Sequence, residues 1–161
     1  MSKMPSIVEE AEISNIESGA PSFDGKRIEL TIDSGAAEHV VGPKDLPSIP
    51  VTPARKHVQY TMANGHKTSN RGEQQVRAVT HGGQEITFKA QVTDVHRPLM
   101  SVSRICDKGN RVVFESQGGY IESLTTGEKI HVRRDHNVYR LQVEVPERGF
   151  ARQGPHCTPY P

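Results

Sequence analysis

Tryptophan is absent from this sequence, and Phe and Tyr bring the aromatic share to only 5%. A core of ordinary size must therefore come from Val, Ile and Leu, residue types that suit strands. Cysteine is almost absent: only Cys106 and Cys157 occur, the latter in a stretch with Pro and Gly, so no disulfide framework is expected and a reducing compartment is the natural one. No run approaches the roughly 20 apolar residues that cross a bilayer, and the opening residues are acidic where a secretory signal would be basic and then apolar. A soluble, cytoplasmic chain is expected. Charge of one sign is also lacking, since the formal net charge is +1 with no long run of either sign, so neither a nucleic-acid nor a membrane partner is implied.

What is present fits one domain with loose ends in 161 residues. Residues 1–24 hold Glu9, Glu10, Glu12 and Glu17 among Ser, Pro and Gly and read as a flexible leader. Residues 146–161, broken by Pro146, Gly149, Pro155, Pro159 and Pro161, read as a flexible tail. Between them, in 25–145, apolar residues recur mostly at alternate positions: Ile28, Leu30 and Ile32; Val76 and Val79; Ile86, Phe88, Ala90 and Val92; Val112 to Phe114; Ile130 and Val132; Val138, Leu141, Val143 and Val145. Turn chemistry separates these runs at Asn64-Gly65, His81-Gly82-Gly83, Gly118-Gly119, Thr126-Gly127 and His136-Asn137. The pattern predicts an all-β meander folded into a barrel or sandwich. One stretch differs: Val102, Ile105 and Cys106 lie at helical spacing, Ser101 is placed to cap the start and Gly109 to end it, which predicts one short helix with Cys106 as a small core residue.

The segment Glu29-Leu30-Thr31-Ile32-Asp33-Ser34-Gly35-Ala36 carries the chemistry. A β-favouring run delivers a carboxylate at the strand's end, and Ser, Gly and Ala then let the backbone turn tightly. Asp-Ser-Gly is also common turn chemistry, but a carboxylate held rigidly at a strand's end suits an acid-protease loop. Two carboxylates close enough to share a proton titrate apart, so one stays ionised to take a proton from water while the neutral one donates to the scissile carbonyl.

This stretch resembles the retropepsins, whose Asp-Thr/Ser-Gly-Ala loop gives one catalytic Asp per subunit. The motif occurs once here. The resemblance therefore implies a homodimer in which two Asp33 side chains meet across a two-fold axis, acting on a polypeptide substrate without a cofactor. It also implies that the Ser34 hydroxyl bonds across to the partner's loop and that the Gly35 carbonyl meets the substrate backbone. Val58 to Thr68 reads as a hairpin with its tip at Met62, Ala63, Asn64 and Gly65, and the resemblance makes that hairpin a flap over the substrate. The run Leu99-Met100-Ser101-Val102, with Gly109 to Phe114 after it and His39 before it, is similar to the protease region of copia-type retrotransposon polyproteins.

By that likeness, the substrate is the element's own Gag-Pol-like polyprotein, the site of action the cytoplasm or a virus-like particle, and the two ends are flanking polyprotein. A terminal strand would build the dimer sheet. The chain departs from the retroviral pattern at Ser101, where Gly is usual, and at Ala37-Glu38, where an acid directly follows the Ala. A decayed copy that dimerises and binds peptides without cutting them is the alternative, and a retropepsin-like domain of a ubiquitin-shuttle protein is a second, which the Leu99 to Phe114 stretch disfavours. The eight histidines show no zinc-like spacing with Cys, Asp or Glu, so no metal is expected. Arg133, Arg134 and Arg140 read as a solvated strand face, since no aromatic platform accompanies them.

Overall fold

Alternation along 25–33 produces a strand whose inner face is Ile28, Leu30 and Ile32, all buried, while Glu29 and Thr31 look outward. In the computed structural model, which describes residues 25–54 and 59–147, this strand is β1 (Gly25–Asp33). Ten further strands and one helix follow: β2 (Val40–Val41), β3 (Gln59–Thr61), β4 (Lys67–Ser69), β5 (Gly72–Thr80), β6 (Glu85–Val92), β7 (Leu99–Ser101), α1 (Val102–Asp107), β8 (Asn110–Glu115), β9 (Gly118–Ser123), β10 (Lys129–Asp135) and β11 (Val138–Pro146). The expectation of a mostly β chain with one short helix is met among the described residues. The leader and most of the tail lie outside them. No described helix is long and apolar enough to cross a membrane.

Strands β1, β7, β2, β6, β5 and β11 pair in that order, and β11 pairs back onto β1, so the ladder closes on itself. Strands β10, β9 and β8 continue from β11 as an antiparallel meander. Two pairings are parallel: β1 with β7, where Asp33 is the partner of Ser101, and β2 with β6, where Val41 is the partner of Val92. Closure places Leu30, Val41, Val76, Ala78, Ala90, Val92, Leu141 and Val143 in one interior, each nearly or wholly inaccessible. Burying a Val or Leu side chain contributes about 1.5–3 kcal/mol.

Several details differ from the sequence expectations. On β5 the inner face is Gln74, Val76, Ala78 and Thr80, and Val79 looks outward, because a strand buries every second residue and the Val76–Val79 spacing is three. Gln74 is held inside by its amide nitrogen, which donates to the carbonyls of Leu46 and Ile49 at 2.9 and 2.8 Å, while its buried Oε1 accepts no hydrogen bond among the described residues. The turn expected at Gly118-Gly119 falls instead on Ser116-Gln117, and the two glycines open β9. A Cβ on Gly119 would meet the Val113 carbonyl oxygen at 2.2 Å, so close strand approach requires glycine there.

The expected terminal dimer strand is also not met. One edge of β11 pairs with β1 and the other with β10 and then β5, so the strand closes the chain's own sheet. Arg133 and Arg140 both bond to Glu29 on the outer face, and Arg140 also reaches Asp135 at 3.3 Å, so these cations sit in an ion-pair network. Hydrogen bonding from Arg133 is the largest influence lowering the Glu29 carboxyl below its usual range.

Cys106 is exposed, contrary to the expected core position. The helix makes fewer than two turns, and its buried contact with the core is Ile105, assisted by Val102, which leaves the next residue facing solvent. Replacing Cys106 by Ser is accordingly expected to change unfolding free energy by less than about 0.5 kcal/mol, measured by urea denaturation.

Candidate functional site

The loop that follows β1 is built from short-range and long-range contacts that converge on Asp33. Locally, the Gly35 N–H donates to Asp33 Oδ1 at 2.7 Å and the Ala36 N–H to the Asp33 carbonyl at 3.4 Å. The carboxylate is thereby turned over its own loop and stays partly exposed. Ser34 and Gly35 are exposed, and a Cβ on Gly35 would lie 3.3 Å from Asp33 Oδ1, so glycine lets the amide approach the carboxylate. Among the described residues Asp33 takes part in no ion pair, which leaves its second oxygen available.

The long-range contacts come from Ser101, the residue paired with Asp33 in the parallel ladder. Its hydroxyl donates to the Ala36 carbonyl at 2.7 Å, accepts the Arg104 N–H at 3.3 Å as the N-cap of α1, and lies 3.0 Å from the Ser103 hydroxyl. Its backbone N–H donates to His39 Nδ1 at 3.0 Å. Ser101 is fully buried and His39 is 8% exposed. The departure from glycine at this position thus supplies a side chain that closes the Asp33 loop. The sequence marks Ser101 as a helix cap and a departure and His39 as part of a resemblance, and no local pattern in it places either against the Asp33 loop. The hint was a small hydroxyl residue following Leu99-Met100 at a helix start.

Glu38, one residue beyond the position of the acid in the retroviral pattern, bonds to Arg104 through both carboxylate oxygens, the Nε contact being 3.2 Å. That pair ties the far side of the loop to α1. The His39 carbonyl accepts the Gln91 N–H at 2.8 Å, anchoring the loop's end to β6.

The hairpin expected near Met62 exists as β3 and β4, joined by the exposed tip residues Ala63, Asn64 and Gly65. Val58 lies outside the described residues. Gly65 has φ +83°, the Gly65 N–H donates to the Met62 carbonyl at 2.8 Å, and Asn64 Oδ1 accepts the His66 N–H at 2.9 Å. The hairpin forms its own two-stranded sheet, and no hydrogen bond among the described residues joins its tip to the Asp33 loop. Its base is fixed by Thr93, whose hydroxyl bonds to the Ser69 carbonyl and meets the Thr68 hydroxyl, both at 2.9 Å. Hairpin base and Asp33 loop are therefore anchored within three residues of each other at the end of β6, Gln91 to Thr93.

A groove of about 740 Å³ lies between α1, β6 and the β9–β10 hairpin and reaches the far end of the loop; Glu38, His39, Phe88, Met100, Ile105 and Ile121 are among its lining, and Asp33 is not. Among the described residues no group of three or more His, Cys, Asp or Glu is arranged to hold a metal ion. No protein-family model matches the chain, and no curated protein matches it.

Proposed function

We propose that this chain is one subunit of a homodimeric aspartic endopeptidase of the retropepsin type, cutting extended segments of a Gag-Pol-like retroelement polyprotein. The observation that carries the reading is the Asp33 loop: a partly exposed carboxylate at the end of a barrel strand, held by the Gly35 amide, with one free oxygen and a clamp at Ser101 behind it. A single such carboxylate per chain is half of a shared-proton pair. A second copy brings the other half, and one water between the two Asp33 side chains loses a proton to the ionised carboxylate while the neutral one donates to the scissile carbonyl. The exposed Ser34 hydroxyl is free to bond across the two-fold axis. The separate hairpin, anchored beside the loop, fits a cover that closes over bound peptide. A half-site of this kind is open in one chain and becomes a cleft only when paired, which accounts for Asp33 lying outside the groove beside α1.

The test is incubation with a library of extended peptides near pH 5 over a dilution series. Cleavage blocked by a statine-type inhibitor is expected, with activity per chain falling on dilution as dimer gives way to monomer. Peptide binding without turnover at every concentration would replace the enzyme with the non-catalytic binding module.

A further inference from the structure

We propose that His39 is a positioning residue, locking the loop that carries Asp33 through the backbone and side chain of Ser101. The consequence for catalysis rests on the proposed function, whereas the lock itself does not. The His39 ring packs edge-on against Phe88, with centroids 5.4 Å apart, and is 8% exposed. Because the Ser101 backbone N–H can only donate, Nδ1 must carry a lone pair and the ring proton must sit on Nε2. The same Ser101 pairs with Asp33 in the ladder and donates its hydroxyl to Ala36. The loop from Asp33 to His39 is thus held at its start, middle and end by one buried residue of β7, and only a neutral imidazole can make the last of these contacts.

Protonation would set an Nδ1–H against the Ser101 N–H. Burial, the largest cause, pushes the His39 imidazole from its usual 6.5 down to about 4. Glu38, its neighbour in the loop, pulls upward, and Arg104 and Lys108 from α1 and its end push downward. From β6 and β7 the ring meets Phe88 and the Ser101 amide, neither of which carries charge. In the unfolded chain the imidazole takes up its proton near its usual value. The stability due to a neutral His39 is therefore fully present above about pH 6.5, declines as the pH falls below it, and is lost by about pH 4. The lock holds through mild acidity and opens below that.

The experiment compares the wild type with His39→Asn, whose Oδ1 can replace Nδ1 as acceptor, His39→Leu, which has no acceptor, and Asp33→Asn. By NMR of the folded chains, the imidazole proton is expected on Nε2 at neutral pH, and the Ser101 amide is expected to titrate together with His39 near pH 4. The Gly35 and Ala36 amides are expected to exchange at least about tenfold faster in His39→Leu and within about threefold of wild type in His39→Asn. In peptide cleavage His39→Leu should lower kcat about tenfold or more with KM within about twofold, and His39→Asn should recover most of it. A Ser101 amide blind to His39 titration, or unchanged loop exchange in His39→Leu, overturns the lock. If His39→Leu does not fold, the wild-type titration and His39→Asn decide. Cleavage undiminished in Asp33→Asn, beside the expected NMR result, overturns the protease reading and leaves the lock standing.

Discussion

Asp33→Asn is expected to lower kcat/KM for peptide cleavage by at least about a thousandfold while leaving the chain folded, because the two effects of the side chain separate cleanly. For structure, Asp33 Oδ1 accepts the Gly35 N–H at 2.7 Å, and an amide oxygen can accept the same bond. The turn itself uses the Asp33 backbone carbonyl, and the strand uses its ladder with Ser101, so neither depends on charge. Stability should move by less than about 1 kcal/mol in thermal unfolding. For chemistry, a carboxamide cannot take a proton from water, and in a symmetric dimer the substitution removes both halves of the pair together. Mixing gives a sharper form of the test. With equal amounts of wild-type and Asp33→Asn chains exchanging freely, only about one quarter of dimers keep two carboxylates, so activity should fall to about half that of the wild-type chains assayed at their own concentration. Proteolysis that survives the substitution would end the acid-protease reading.

The parts of this fold that could be read from the sequence are those whose forces act over a few residues. Ile28, Leu30 and Ile32 announce β1 because a strand with one buried face must alternate, and Leu141, Val143 and Val145 announce β11 for the same reason. Ser101 and Gly109 bracket the helix because a cap needs a side-chain acceptor for a free amide and the chain then leaves through φ +84°. The Asp33 loop was legible because its turn is closed by its own residues. Gln74 and Thr80 hide the inner face of β5, since polar residues break the apolar alternation; Gln74 is held inside by the distant Leu46 and Ile49 carbonyls, which accept from its amide nitrogen, and Thr80 bonds locally to Gln84.

Which strands close the sheet is illegible for a similar reason. It depends on residues near the end of the domain pairing with residues at its start, as Leu141 does with Leu30, and alternation reveals a strand without revealing its neighbour. Closure also explains why β11 could not be the expected dimer strand. A strand with Leu141, Val143 and Val145 buried on one face and both edges paired belongs wholly to its own chain. In the proposed dimer, the described residues left to make contacts are those of loops, α1 and the outer edges of the meander and hairpin.

Ser101→Ala is the second large effect, expected to cost about 2–4 kcal/mol of unfolding free energy, a sizeable fraction of the roughly 5–15 kcal/mol typical of a domain. The hydroxyl has two structural duties and alanine ends both. Loss of the N-cap bond to the Arg104 amide costs about 0.5–2 kcal/mol, and the Ala36 carbonyl, left without its donor beside a fully buried residue, adds about 1–3 kcal/mol. Ser101→Gly should be at least as damaging, because restoring the glycine of the retroviral pattern removes the same two bonds and frees the backbone as well. Ser101→Thr keeps the oxygen but pushes a methyl into a site with no accessible surface, and a cost of about 1–3 kcal/mol is expected from crowding. Ser103→Ala is the control, since it touches only the 3.0 Å contact between the two hydroxyls and should cost less than about 1 kcal/mol. Urea denaturation ranks the four variants, and hydrogen exchange at Ala36 reports whether the loop loosens before the barrel does. An Ala variant as stable as the wild type, with the Ala36 amide equally protected, would mean that the Asp33 loop stands without its clamp.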